Sequence, residues 1–199
     1  MVFRFCSGQQ SFVFTGHGHF HSVFCHSLKA IKAEYFEKHA LAGTVVDTTY
    51  LPRKINHQII IENGYKNFTF QDDTDKYGIY YRNYFYAGYD RDRKWILINR
   101  QESNRSYYYL VHQNSLAIDT LVGYPKIVGN KMLCLESKFI NGENRIEVWA
   151  IVGENLEPKT LFSLSRCQLD PKRIALSADN ELMIEVQQNS YFKVDLPDY

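Results

Sequence analysis

The chain is poor in the residues that usually announce chemistry. Its four cysteines in 199 residues, Cys6, Cys25, Cys134 and Cys167, form no CxxC pair and are too sparse for a disulfide scaffold, which excludes a zinc ribbon, a thioredoxin-type redox site and a cystine-rich secreted fold. Cys134 and Cys167 fit either one bridge between neighbouring units or two buried, inert thiols, and the second reading is preferred because free cysteine is among the most buried residue types. No run approaches the ~20 apolar residues of a membrane-spanning helix. Excess charge is missing too: 23 Lys and Arg stand against 22 Asp and Glu, so no long-range field gathers a phosphate backbone and nucleic acid is not an expected partner. There is no Gly-x-Ser-x-Gly elbow and no Walker loop, and Gly16-His17-Gly18 is too short for a dinucleotide fingerprint. Neither hydrolase nor nucleotide chemistry has a motif to stand on, and no cofactor is implied.

Aromatic rings are abundant. Fifteen Tyr and thirteen Phe against three Met favour pleated, half-buried surfaces and lean toward β structure. The strongest pattern is an internal rhyme: Pro125-Lys126-Ile127, a polar turn and Lys131-Met132-Leu133-Cys134-Leu135-Glu136 recur as Pro171-Lys172-Arg173-Ile174, a turn and Glu181-Leu182-Met183-Ile184-Glu185-Val186. Self-similarity at this period marks stacked supersecondary units, here β-meanders.

The expected fold is all-β, mainly antiparallel meanders, with one N-terminal α-helix. Ser27 to Ala40 reads as that helix, capped by Ser27, with Leu28, Ile31 and Tyr35 at helical spacing and Gly43 as its stop. Residues 1–43 are then an extension and 44–199 a β-meander domain. Thr44–Tyr50, His57–Glu62 and Lys66–Gln71 read as strands, the last two joined by the Asn63-Gly64 hairpin signal. A four-strand set follows from Lys76 to Val122, a second from Tyr124 to Leu164, and a third from Arg173 to Leu196 with only three strands. The Thr44–Gln71 segment is the expected lender of the missing one.

This cadence over Tyr77 to Leu196, a Pro-containing turn, a polar tip and a hydrophobic strand opening each set, resembles β-propeller blades of the WD40-like or TolB-like kind. It departs from them in carrying no Trp-Asp or Gly-His dipeptide within that span and in having room for about three blades, so the resemblance implies a partial or distorted propeller. In style the chain also resembles small bacterial proteins, some of them toxin-immunity proteins, that pair a short helix with a meander ending in a strand such as Tyr191-Phe192-Lys193. That resemblance implies a soluble, non-enzymatic protein-binding role.

Three constellations are candidates for function. His17, His19, His21 and His26 beside Cys25 have Zn or Cu ligand types at strand alternation, but a solvated Gly-loosened segment explains them better, so no metal is expected. Asp72, Asp73 and Asp75, then Asp90 and Asp92, lie in turns, where Asp bonds its own backbone and no EF-hand spacing follows. The densest signal is Tyr77, Tyr80, Tyr81, Tyr84, Phe85, Tyr86 and Tyr89 with Arg82 and Asn83 between them, extended by Tyr107-Tyr108-Tyr109. Tyr with Arg and Asn is the composition of binding surfaces.

The leading expectation is therefore a protein-binding module, of the immunity type that occludes a toxin, using Tyr81, Arg82, Tyr84, Tyr86, Asp90 and Asp92. The alternative is a carbohydrate-binding module or glycan-active enzyme using Asp72, Asp73, Asp90 and Asp92. The lead Met1 to Gly8 lacks the apolar region of a secretory signal, whereas Cys6-Ser7-Gly8-Gln9 resembles the start of a mature lipoprotein. Location is left open: cytoplasmic as the sequence stands, periplasmic or lipid-anchored if the native start lies upstream of Met1.

Overall fold

The computed structural model describes residues 21–23, 27–44, 47, 54–74, 81–102, 106–136, 144–164 and 169–196. Strands β1 (His21–Val23) and β2 (Lys29–Ile31) precede the helix α1 (Ala33–His39). A hairpin of β3 (Gln58–Glu62) and β4 (Asn67–Gln71) follows, with Gly64 at φ +86° in the turn, a left-handed conformation that favours glycine. The first meander is β5 (Asp73–Thr74), β6 (Tyr81–Asp90), β7 (Trp95–Glu102), β8 (Ser106–His112) and β9 (Ile118–Leu121). The second is β10 (Pro125–Val128), β11 (Lys131–Glu136), β12 (Arg145–Val152) and β13 (Asn155–Ser163), with β1 added in parallel beside β13. The third is β14 (Pro171–Leu176), β15 (Glu181–Val186) and β16 (Tyr191–Asp195), completed by β2 antiparallel to β16. Among the described residues the fold is all-β with one short helix. Both copies of the Pro-Lys rhyme fall on the first two strands of a meander, β10–β11 and β14–β15.

Alternation along the strands decides how the layers pack. In β7, Trp95 and Leu97 join Met132, Cys134 and Trp149 of the second meander, while Ile96 and Ile98 join Ile59, Ile61 and Phe70 of the hairpin. β11 repeats the division, with Met132 and Cys134 toward the first meander and Leu133 toward Leu182 and Ile184 of the third. In β15, Leu182, Ile184 and Val186 face the second meander and Met183 faces Phe36 of α1. The layer order is thus hairpin, first, second and third meander, then helix. Each large apolar side chain so enclosed contributes about 1.5–3 kcal/mol, and a one-residue slip would exchange two cores at once. Where the first meander hands over to the second, the chain passes so close to β11 that a Cβ on Gly123 would lie 2.0 Å from the Leu135 carbonyl oxygen.

Two expectations are corrected. The helix is Ala33–His39, not Ser27 to Ala40: Lys29, Ala30 and Ile31 instead pair with Lys193, Phe192 and Tyr191. Lys32, extended at φ −85° and ψ 156°, precedes the helix without a side-chain cap, and the helix ends at Ala40 before Gly43 is reached. Pairing with an otherwise open strand edge outweighs helical spacing over so short a segment. The lender of the third meander's fourth strand is therefore β2, while His57–Gln71 stays a separate hairpin on the first meander. Of the expected Thr44–Tyr50 strand, the described residues show two isolated bridges, Thr44 to Ile127 and Asp47 to Tyr89.

Two substitutions test this layering. Phe36→Ala, at a fully buried ring, should cost about 3–5 kcal/mol in urea denaturation, and Gly123→Ala should lower the melting temperature because a backbone carbonyl blocks the added methyl. A thermal midpoint unchanged by either would refute the packing described.

Candidate functional site

The first meander turns polar at one end. β7 runs from the buried Trp95-Ile96-Leu97-Ile98-Asn99 into Arg100-Gln101-Glu102, which are half-buried or exposed, so polar side chains begin where the apolar layers stop. Among the described residues β5 pairs Asp73 with Arg82 and Thr74 with Tyr81. The start of β6, the end of β7 and the start of β8 bring polar and aromatic side chains together beside it. Their pairs are Arg82 with Glu102, Asn83 with Gln101, Tyr84 with Arg100, Phe85 with Asn99 and Arg100 with Tyr107. A bulge between Tyr86 and Gly88 sets this register. Without it Tyr84 would oppose Gln101, and Arg82, Tyr84, Arg100 and Glu102 would not share a face.

On the hairpin side lie Arg82, Tyr84, Arg100, Glu102, Tyr107 and Tyr109. The Arg100 guanidinium donates to the Tyr109 hydroxyl at 2.5 Å, ion-pairs with Glu102 and lies 5.6 Å from the Tyr107 ring centroid. Arg82 reaches the same Glu102 oxygen at 3.6 Å. Phe70 of the hairpin closes the inner edge, 5.1 Å from the Tyr84 ring and 5.9 Å from that of Tyr109. Burial, reinforced by Tyr109 and opposed by Arg100 and Arg82, raises the Tyr84 phenol above its ordinary pKa, so it stays a neutral hydrogen-bonding group at physiological pH.

The opposite face carries Tyr81, Asn83 and Phe85. Tyr81 is 40% and Phe85 42% exposed, whereas Tyr84 between them is 8% exposed. Lys54 stands beside this strand: it ion-pairs with buried Asp72, donates to the Tyr84 carbonyl at 2.8 Å and sits 4.8 Å from the Phe85 ring centroid. Asp72 also accepts the Tyr84 N–H at 2.9 Å. It is a structural tie between the end of the hairpin and β6.

The sequence-derived binding set is therefore divided. Tyr81 is exposed on one face; Arg82, Tyr84 and Tyr86 point to the other, with Tyr84 buried and Tyr86 packed against the hairpin core. Asp90 and Asp92 belong to the far end of β6, about 30 Å from Tyr81 at the usual rise per residue. There Asp90 accepts the Arg93 N–H at 3.0 Å and its guanidinium at 2.8 Å, and Asp92 is exposed. Of the carboxylates nominated for glycan chemistry, Asp72 and Asp90 are thus engaged by Lys54 and Arg93. Asp73 and Asp92, exposed at opposite ends of β6, are far beyond the ~5–10 Å at which paired carboxylates cooperate on a glycosidic bond. His17, His19, Cys25, His26, Asp75, Tyr77 and Tyr80 lie outside the described residues, and no three described His, Cys, Asp or Glu side chains are placed to share a metal ion. Cys134 is a free, buried thiol and Cys167 lies outside the described residues. Among the described residues no helix is long and apolar enough to cross a membrane.

Sequence reasoning missed Lys54, whose partner Asp72 is distant in sequence, and Arg100 and Glu102, which the bulged register sets opposite Tyr84 and Arg82. It also missed Glu147, 6% exposed between the first and second meanders, which accepts hydrogen bonds from the Val122 N–H and the Trp149 indole, both at 3.2 Å. Burial lifts its pKa to about 7 despite those two donors. No family model, curated protein or solved structure matches this chain.

Glu147 sets a pH dependence whose sign is fixed. A carboxyl with a raised folded-state pKa holds its proton more tightly folded than unfolded, so its contribution to stability falls as pH rises from about 4.5 to about 7. Glu147→Gln should abolish that slope, making the variant the more stable protein at pH 8 relative to pH 5 by about 3 kcal/mol at most. Urea midpoints at the two pH values measure it, and parallel pH profiles for variant and parent would refute the assignment.

Proposed function

We propose that this protein is a non-enzymatic protein-binding module whose partner docks on the polar end of the first meander. The observation that carries the reading is the exposure of two large rings, Tyr81 and Phe85, at alternate positions of one strand, beside the half-buried Asn83 and the exposed Gln101 opposite it. Rings over a rigid sheet offer contact area at little entropic cost, and neighbouring amides supply orientation. The blade-like scaffold and the toxin-immunity style of the sequence make a bacterial toxin the partner we favour, held by occlusion of its own active surface. A glycan-binding role would draw on the same rings and amides. It is the weaker reading because the carboxylates nominated for it are engaged elsewhere or lie far apart.

The test is co-expression with the product of a neighbouring gene, reading both growth rescue and complex formation. Tyr81→Ala and Phe85→Ala should each weaken a complex by about 2 kcal/mol or more if they are anchors, leaving the melting temperature unchanged. Tyr84→Ala should instead lower the melting temperature, since its ring is core. Retained affinity in the Tyr81→Ala/Phe85→Ala double variant, or sugar binding on a glycan array that the double variant loses, would overturn the reading.

A further inference from the structure

We propose that the junction between the first and second meanders is a pH-gated hinge: with the Glu147 carboxyl protonated the two sheets stay closed on it, and with the carboxylate ionised they part there ahead of the rest of the fold, uncovering Cys134. The inference does not depend on what the first meander binds. It starts from placement. Glu147 stands directly opposite Cys134 across β12 and β11, so the two share the sheet face that meets Trp95, Leu97, Leu110 and Leu121 of the first meander. Glu147 is 6% exposed and Cys134 is fully enclosed. The chain passes from one meander to the other through Val122, Gly123 and Tyr124, and the first of these donates its N–H to Glu147 at 3.2 Å. Trp149, in the same apolar layer, donates its indole N–H to the same oxygen. Gly123 is pressed against the Leu135 carbonyl with no room for a Cβ. One carboxyl thus holds the link and an interior ring to the second sheet.

The neighbouring charges decide the direction. β11 contributes Cys134 and Glu136 and β12 contributes Arg145, which is committed to Glu136 at 2.6 Å. On the facing side of the first meander, beside Trp95 and Leu110, His112 pairs with Asp119 at 2.7 Å. Tyr108 lies 5.6 Å from Tyr124 of the link, and burial raises both phenols, so they stay neutral. A carboxylate at Glu147 therefore has two neutral donors and, among the described residues, no ion-pair partner, which makes its burial costly. Burial, opposed by the two donors and Arg145 and reinforced by Glu136, raises its pKa from 4.5 to about 7. In the opened hinge water solvates the carboxylate and the ordinary pKa returns. Opening thus grows more favourable as pH rises from 4.5 to about 7 and levels off above. It starts at the link, where Tyr124 is 36% exposed, because β11 and β15 are packed on both faces. Cys134 reports it: burial, then the Glu147 charge, holds the thiol well above its ordinary pKa, and only a thiolate in contact with water alkylates readily.

The test treats the full chain with N-ethylmaleimide at about pH 5.5 and about pH 7.5, on either side of most of the expected change. Peptide mass spectrometry reads modification of Cys134, and each rate is divided by that of the urea-unfolded chain at the same pH. The quotient should rise about tenfold or more between the two conditions. It should stay level in Glu147→Gln, whose amide oxygen keeps both hydrogen bonds without a charge. Hydrogen exchange in the parent chain alone separates a hinge from global unfolding. Corrected for intrinsic rates, the Val122 amide and the Trp149 indole N–H should lose protection over this interval, while the Leu182 and Ile184 amides of β15 keep theirs. Equal loss of protection in β15, a flat Cys134 quotient in the parent, or the same rise in Glu147→Gln would each overturn the proposal.

Discussion

The architecture depends on strands that are buried on both sides. β7, β11 and β15 each sit inside a sheet and between two layers, so adjacent side chains serve different cores: Trp95 and Ile96, Met132 and Leu133, Leu182 and Met183 each part company across a single peptide bond. Because a strand's period is two, the register of each such strand fixes both of the interfaces it serves together. This explains why the meanders carry runs of consecutive apolar residues, as in Trp95-Ile96-Leu97-Ile98 and Leu182-Met183-Ile184, and lack the alternation of sheets with one wet face.

Polar groups within these layers are handled in two ways. In the third meander the buried carboxylates face cations. Glu185 takes hydrogen bonds from Lys172 at 2.9 Å and Arg173 at 2.7 Å, which hold it below its ordinary pKa against the opposing effect of burial. Glu181 is pushed up by burial, but hydrogen bonds from Lys193, Tyr35 and Ser177 outweigh it and leave the group lowered. Tyr35 and Glu37 of α1 reach into these same pairs, to Glu181 and Arg173, so the helix docks through Phe36 and is oriented by charge. Glu147 has two neutral donors and, among the described residues, no ion-pair partner, so burial prevails and its proton is retained to higher pH.

The legibility of the sequence follows from the same division. Strand identity and the meander repeat were plain because the Pro-Lys openings and apolar runs are local, as is the Asn63-Gly64 turn. The short segment before α1 was misread because Lys29-Ala30-Ile31 has no local reason to be a strand; its reason is the open edge of β16, nearly the whole chain away. The aromatic run was found, but its faces were not. The bulge between Tyr86 and Gly88 moves the pairing by one residue; Gly88 inside the strand is its local sign, but alternation alone does not show which side chains the shift turns to which face.

That bulge decides which rings are core. Upstream of it, Tyr84 falls on the hairpin side and is consumed as core, while Tyr81 and Phe85 stand on the other side, 40% and 42% exposed. The shift also sets Arg82 opposite Glu102 and Tyr84 opposite Arg100, gathering both guanidiniums on one carboxylate. Were the strands in simple register, Phe85 would oppose Arg100, and the rings and the charges would mix on one face. As built, the exposed rings stand on one side of the first meander and Arg82, Arg100 and Glu102 on the other.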